Sequence, residues 1–170
     1  ERSAWLGRLD QVVPGFGDLM SLRRPALTHR YTVGAHCLRT LVQVKRPQPE
    51  HRPVALDEKT ADALLVAALV HDFGKREPES GHAARGADEA WQTADRLGLP
   101  RATATVASSL VREHLLLPEV ATRSDLTDED MVLKLAARLG DVRLIRPLYL
   151  LTAADMQATG PDVWTPWRAA

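Results

Sequence analysis

Cys37 is the only cysteine in the 170-residue chain, which excludes an intramolecular disulfide and a cysteine-built zinc site. Charge of one sign is missing too: Lys plus Arg and Asp plus Glu both number 22, so the net charge is zero. No overall basic field is there to attract nucleic acid or a membrane surface, and the run "SLRRP" is too short to change that. The longest apolar run, Ala63 to Val70, is far too short to span a bilayer. No signal-peptide pattern is visible, and with no disulfide a reducing cytoplasm is the expected setting. Strand signals are also scarce, since few segments alternate strictly and the β-branched residues do not cluster. The length suits one domain with a proper core, and a composition 45% hydrophobic and 26% charged is that of an ordinary soluble protein.

Helical periodicity is what the chain has in quantity. Trp5, Leu6, Leu9, Val12 and Val13 share one helix face until "PGFG" ends it. Thr32 to Val44 reads as a second helix, striped by Val33, Cys37, Leu41 and Val44. "KRPQPEHRP" is a polar, Pro-rich loop. Asp57 as N-cap, with Glu58 in the first turn, starts a helix that runs to about His71 and is apolar nearly all round at its end. That helix is expected at the centre of the fold, with Gly74 as its stop. Another helix starts in "REPESGHAARG" and runs to about Leu97, and a further one spans Ala102 to about His114. "LLLPEVATRSDLTDED" is expected as a long connection, with Thr127 or Asp128 capping a helix over 129–139. The last helix covers roughly 143–157, and "LGD" and "TGP" are the breaks. The expected architecture is therefore all-α, a single-domain bundle of about seven helices.

The chemistry resides in the histidines and in two aspartates. Of the six histidines, His51 lies in the Pro-rich loop and reads as solvated. His36 sits on an apolar-striped helix, His71 and Asp72 end the central helix, His82 is expected in the following loop, and His114 ends another helix. Taken singly, a histidine among apolar residues is most often a satisfied core residue, and a His-Asp pair is compatible with a helix end meeting solvent. Asp155, in the otherwise apolar "LLTAADMQATG", carries more weight, because burying an unpaired carboxylate costs several kcal/mol. Convergence on a cation would offset that cost. Imidazole with carboxylate suits Zn, Mn, Fe or Ni rather than Ca, and donors from separate helices build metal centres inside helical bundles. His71 and Asp72 point about 100° apart on a helix, so both reach one ion only where the helix end faces it. A break at Gly74 is expected to allow that. Cys37 reads as core, Trp164 and Trp167 as a packing face, and "RSDLTDED" as a loop with a helix cap.

"HDFGK" at 71–75, with His36 upstream and Asp155 downstream, resembles the H…HD…D signature of the HD-domain metal-dependent phosphohydrolases. "LTHRYTVGAHCLRTL", "LLVAALVHDFGK", "VREHLLLPEVATRSDL" and "LTAADMQATGPDVWTPW" resemble, in order, the HD domain of the bifunctional PII uridylyltransferase/uridylyl-removing enzymes, from roughly Leu9 to Trp167. The resemblance implies that residues 1–170 are one HD domain with a metal site at its centre. The abrupt ends and the lack of a nucleotidyltransferase pattern suggest a module of a longer protein, whose nucleotidyltransferase and ACT domains would lie outside this chain.

It implies His36, His71, Asp72 and Asp155 as ligands of a core metal, His82 and His114 as the further ligands of a two-metal site, and Asp72 as the bridging carboxylate. The cofactor would be one or two divalent ions (Mn2+, Mg2+, Fe2+ or Zn2+). Lys75 would act with Asp72 in catalysis by neutralising a phosphate, and His29, Arg30 and Thr32 would contact substrate or support the ligands. The implied substrate is nucleotidylated PII signal protein, from whose tyrosine a uridylyl group is hydrolysed, with neither nucleic acid nor membrane as partner. Another HD-type nucleotide phosphohydrolase, or a catalytically silent regulatory module, are the alternatives. Two departures stand out: Gly34 and Ala35 replace the acidic pair usual before the first histidine, and "SGHAARGA" replaces the usual D-H-S.

Overall fold

A computed structural model describes residues 2–23, 31–47, 56–123 and 129–160, without the side chains of 2–6 and 123. All regular structure among the described residues is helical. His29, Arg30, His51, Trp164, Trp167 and the Thr127 or Asp128 cap lie outside them, as do the side chains of Trp5 and Leu6. The helices are α1 (Arg2–Val12), α2 (Phe16–Leu19), α3 (Val33–Lys45), α4 (Glu58–Val70), α5 (His82–Arg96), α6 (Arg101–Arg112), α7 (Leu116–Arg123), α8 (Glu129–Leu139) and α9 (Ile145–Thr159).

Capping chemistry starts the two helices that matter most to the centre. The Thr32 hydroxyl accepts from the Ala35 N–H at 3.3 Å and begins α3. Asp57 accepts from the Thr60 N–H at 3.0 Å and from its hydroxyl at 2.7 Å, which begins α4. Helix α4 is the hub. Ala63, Leu64, Val66, Ala67, Ala68 and Val70 are buried, and the helix touches α3, α5, α6 and α9. The most extensive helix pairing is α5 with α6, where Ala87, Ala90, Ala94, Ala104 and Ala107 let the two backbones come close. Gly98, at φ 70°, closes α5 in the left-handed conformation that "LGLP" supplies.

Several boundaries differ from those the periodicity implies. The central helix does end where expected, at Val70 with His71 as its C-cap, but Phe73–Arg76 form a 3-10 turn after it. Gly74 is not a helix stop. A Cβ there would lie 2.1 Å from the His82 carbonyl oxygen, so glycine is required by close approach of the turn to α5. His82 opens α5 rather than sitting in a loop, and α6 ends at Arg112, two residues before His114. The "LLLPEVATRSDLTDED" connection contains α7. Pro118 lies in its first turn, where no intrahelical N–H is needed, so that proline does not mark a break. Helix α2 is a single turn whose Phe16 and Leu19, both fully buried, dock onto the core.

Candidate metal centre

Six elements deliver the implied ligands to one place. His36 comes from α3, His71 caps α4, Asp72 opens the 3-10 turn, His82 begins α5, His114 follows α6, and Asp155 lies on α9. They form two groups whose donor atoms lie within 4.8 Å of one another: His36, His71 and Asp155, and Asp72, His82 and His114. In the first, His36 Nε2 lies 2.7 Å from Asp155 Oδ1 and 3.2 Å from His71 Nε2, and the Asp155 oxygen lies 3.5 Å from His71 Nε2.

Asp72 divides its two oxygens between the groups. Oδ2 lies 3.8 Å from His36 Nε2 and 3.7 Å from His71 Nε2. Oδ1 lies 3.9 Å from both His82 Nε2 and His114 Nε2. The Lys75 ammonium donates to Oδ2 at 2.7 Å. The imidazoles run edge to face through the cluster, with centroids 5.2 Å apart for His36–His71 and 5.4 Å for His71–His114 and His82–His114.

Backbone carbonyls orient two of the rings. His71 Nδ1–H donates to Ala68 O at 3.2 Å, and His114 Nδ1–H donates to Val111 O at 2.6 Å, so each directs Nε2 into the cluster. His71, Asp72 and His114 are buried, whereas the side chains of Asp155, Lys75 and His82 are 21%, 21% and 24% exposed. The mouth of the site therefore runs along those three residues.

The electrostatics ask for positive charge. Burial pushes the Asp72 carboxyl up, yet the His71 imidazole and the Lys75 ammonium outweigh it and hold the group far below the usual carboxylate range. Asp155 behaves alike: burial is outweighed by His71 and by the hydrogen bonds from His36 and His71. Burial pushes His71 towards its neutral form, but Asp72 and Asp155 together turn the net direction upward. Burial, then His71, pushes His114 down to about 4, and burial also lowers His82. The second group thus offers an ionised carboxylate and two neutral imidazoles, the protonation states that a cation needs.

The donors fit a divalent metal. In the first group three acceptor-bearing atoms crowd one point and need a proton or a cation between them. In the second, His82 Nε2 is buried without a hydrogen-bond partner, a donor atom that a divalent ion would satisfy. Cys37 is fully buried, and burial followed by Asp72 raises its thiol pKa, so it stays a protonated core residue.

The HD domain family model matches residues 33–140. The chain belongs to the HD domain family. Relatives of this HD domain include proteins named bifunctional uridylyltransferase/uridylyl-removing enzyme. That of Acinetobacter baylyi is 34% identical over 96% of the chain and 19% of its own length. That of Bordetella parapertussis is 37% identical over 98% of the chain and 20% of its own length, and that of Streptomyces coelicolor 36% over 96% and 19%. The chain thus spans about a fifth of these relatives (19–20%). No solved structure matches it.

One residue of each departure meets a backbone constraint. A Cβ on Gly34 would lie 2.8 Å from Met20 Sδ and 2.9 Å from the Leu19 and Met20 backbone, so α2 leaves no room for an acidic side chain. Gly81 caps α5 at φ 86°, a left-handed conformation that glycine adopts without strain. Thr32 has its hydroxyl engaged in capping α3, four residues before His36. The sequence pattern did not reveal Arg85, which binds the carbonyls of Gly74, Glu79 and Ser80 and ties the loop between Lys75 and His82 to α5. A lone arginine in the first turn of a helix carries no periodic signal that it reaches back to a loop.

Proposed function

We propose that this HD domain hydrolyses a phosphodiester that joins a nucleoside monophosphate, UMP in the favoured case, to a tyrosine of the PII signal protein. The observation that carries this reading is the division of Asp72, with one oxygen towards each histidine group at the end of a buried helix. His36, His71 and Asp155 would hold one divalent ion, His82 and His114 a second, and Asp72 would bridge them. The ions would come from Mn2+, Mg2+, Fe2+ and Zn2+. When bound, they supply Lewis acidity towards a phosphoryl oxygen and acidify a water.

The protein's own groups do the rest. The carbonyls of Ala68 and Val111 hold His71 and His114 in the ligand tautomer. Lys75 fixes the Asp72 carboxylate and brings a positive charge to the mouth, where a phosphoryl group enters. One water is consumed. Its oxygen bonds to phosphorus, the phosphorus–phenol oxygen bond breaks, and the products are the nucleoside monophosphate and the free tyrosine. A phenol of pKa about 10 leaves without a strong general acid.

Residues 1–170 are read as one HD module, with nucleotidyltransferase and ACT domains elsewhere in the parent chain. The relatives' names and the chain's share of their length support this. The test is UMP release from uridylylated PII by the metal-loaded protein, together with metal analysis. Asp72→Ala is expected to lower turnover by more than about a hundredfold. Unchanged turnover in that variant, or a wild type that binds no divalent ion at neutral pH, would overturn the proposal.

A further inference from the structure

The proposed reaction leaves the nucleoside without a recognition surface, and the structure holds one beside the first histidine group. The Arg39 guanidinium lies over the Tyr31 ring, 4.3 Å from its centroid. Arg39 Nε also donates to the Ala158 carbonyl at 3.4 Å. His36 meets Asp155, and three residues further along both helices Arg39 meets Ala158, so this second contact lies just under one turn, about 4.5 Å, beyond the first. A helical side chain covers the turn N-terminal to its own Cα, so the guanidinium reaches back over the turn that carries His36. Tyr31 is half-buried and Arg39 is exposed, so the guanidinium is the more open partner of the pair, and the Asp155 side chain three residues before Ala158 is partly exposed too.

We propose that Arg39, held over the Tyr31 ring, is the platform for the nucleobase of the substrate. This rests on the nucleotidyl-hydrolase reading and adds to it the way the nucleoside is held. A guanidinium plane backed by an aromatic ring stacks on a base and is a common device for an unpaired nucleotide. The base lies against the outer face of Arg39, while the phosphoryl group reaches the histidine groups just under one turn away. Stacking reads the face of a base rather than its edge, so the platform tolerates uracil and adenine alike. Arg39 contacts substrate, and Tyr31 is a positioning residue that acts through it.

Calorimetric titration of the Mn2+-loaded protein with UMP, AMP and inorganic phosphate tests this. Arg39→Gln is expected to weaken UMP binding about tenfold and leave phosphate affinity and bound metal as in wild type. Arg39→Lys is expected not to restore it, because an ammonium keeps the charge without the plane. Tyr31→Leu weakens UMP binding and Tyr31→Phe retains it. UMP and AMP are expected to bind within about tenfold of each other.

Rescue by lysine would mean a charge contact only, and equal losses for UMP and phosphate would mean a helix tie only. A much larger preference for UMP would mean edge reading. Each of these overturns the platform, as does a wild type that binds phosphate but neither nucleotide. If both nucleotides bind as expected and no diester is cleaved, the hydrolase reading fails while the platform stands.

Discussion

His114 shows how one buried side chain can tie metal binding to pH. Its imidazole titrates at about 4 in the folded protein, against an ordinary 6.5, because burial and the neighbouring His71 disfavour its charged form. Between those values the unfolded chain binds a proton that the folded chain does not. The stability contributed by neutral His114 is therefore complete above about pH 6.5 and is lost as the pH falls towards about 4. A span of that size corresponds to about 3 kcal/mol. Urea melts of the metal-free protein at about pH 7 and about pH 4.5 are expected to show a larger acid loss for wild type than for His114→Gln, and parallel losses would count against it. The same variant separates the two groups of ligands. It removes a donor from the Asp72–His82–His114 group and none from His36, His71 and Asp155. Bound Mn2+, measured by equilibrium dialysis, is expected to fall from two ions to one, and a stoichiometry unaffected by the variant would mean that the second group holds no ion.

At the scale of elements, the 3-10 turn Phe73–Arg76 and the first turn of α5 behave as one unit. Gly74 meets the His82 backbone, and Arg85 reaches back from α5 to the Gly74 carbonyl. Gly74→Ala places a Cβ 2.1 Å from a backbone oxygen, so the turn and α5 must part. The expected cost is about 1–3 kcal/mol in a denaturant melt, with weaker binding of the ion at His82. Wild-type stability in Gly74→Ala would show that the two elements separate freely. This contact also marks the limit of what was legible in advance. The Asp57 cap, the apolar body of α4 and the apolar stripe of α3 are local signals, so α3 and α4 could be read from neighbouring residues alone. Gly74 was misread because its constraint comes from a residue eight positions on, in space rather than along the helix. Helix α7 was missed because Pro118 looks like a break unless it is known to fall in a first turn. Gly34 looked like a lost acidic group until α2 was seen against it. The residue types of the centre were visible in their order along the chain. The allotment of one Asp72 oxygen to each group was not, because it depends on how the chain turns after Val70.

The whole molecule is held at the centre by groups that would otherwise repel or go unpaired. The proposed ligands come from α3, the end of α4, the start of α5, the turn after α6 and α9, so an ion there would cross-link most of the bundle. Without an ion the protein keeps the buried Asp72 carboxylate, the partly buried Asp155 carboxylate and an unpartnered His82 Nε2 at its centre, a polar burden in a core built mainly of Ala, Val and Leu. An ion that binds only the folded state stabilises it by about 2.7 kcal/mol when free metal is a hundredfold above its dissociation constant. For a chain of 170 residues each kcal/mol moves the melting temperature by about 2–4 °C, so Mn2+ at that excess should raise it by roughly 5–10 °C. Chelation should reverse the shift. Asp72→Ala removes the one carboxylate among the described residues placed to bridge both groups, and the variant should lose most of the shift while its metal-free melt stays cooperative. Scanning calorimetry with and without Mn2+ decides this. An equal shift in Asp72→Ala and wild type would mean that the stabilising ion binds away from the histidine cluster, and the centre would then have to be read as a polar core that holds no metal.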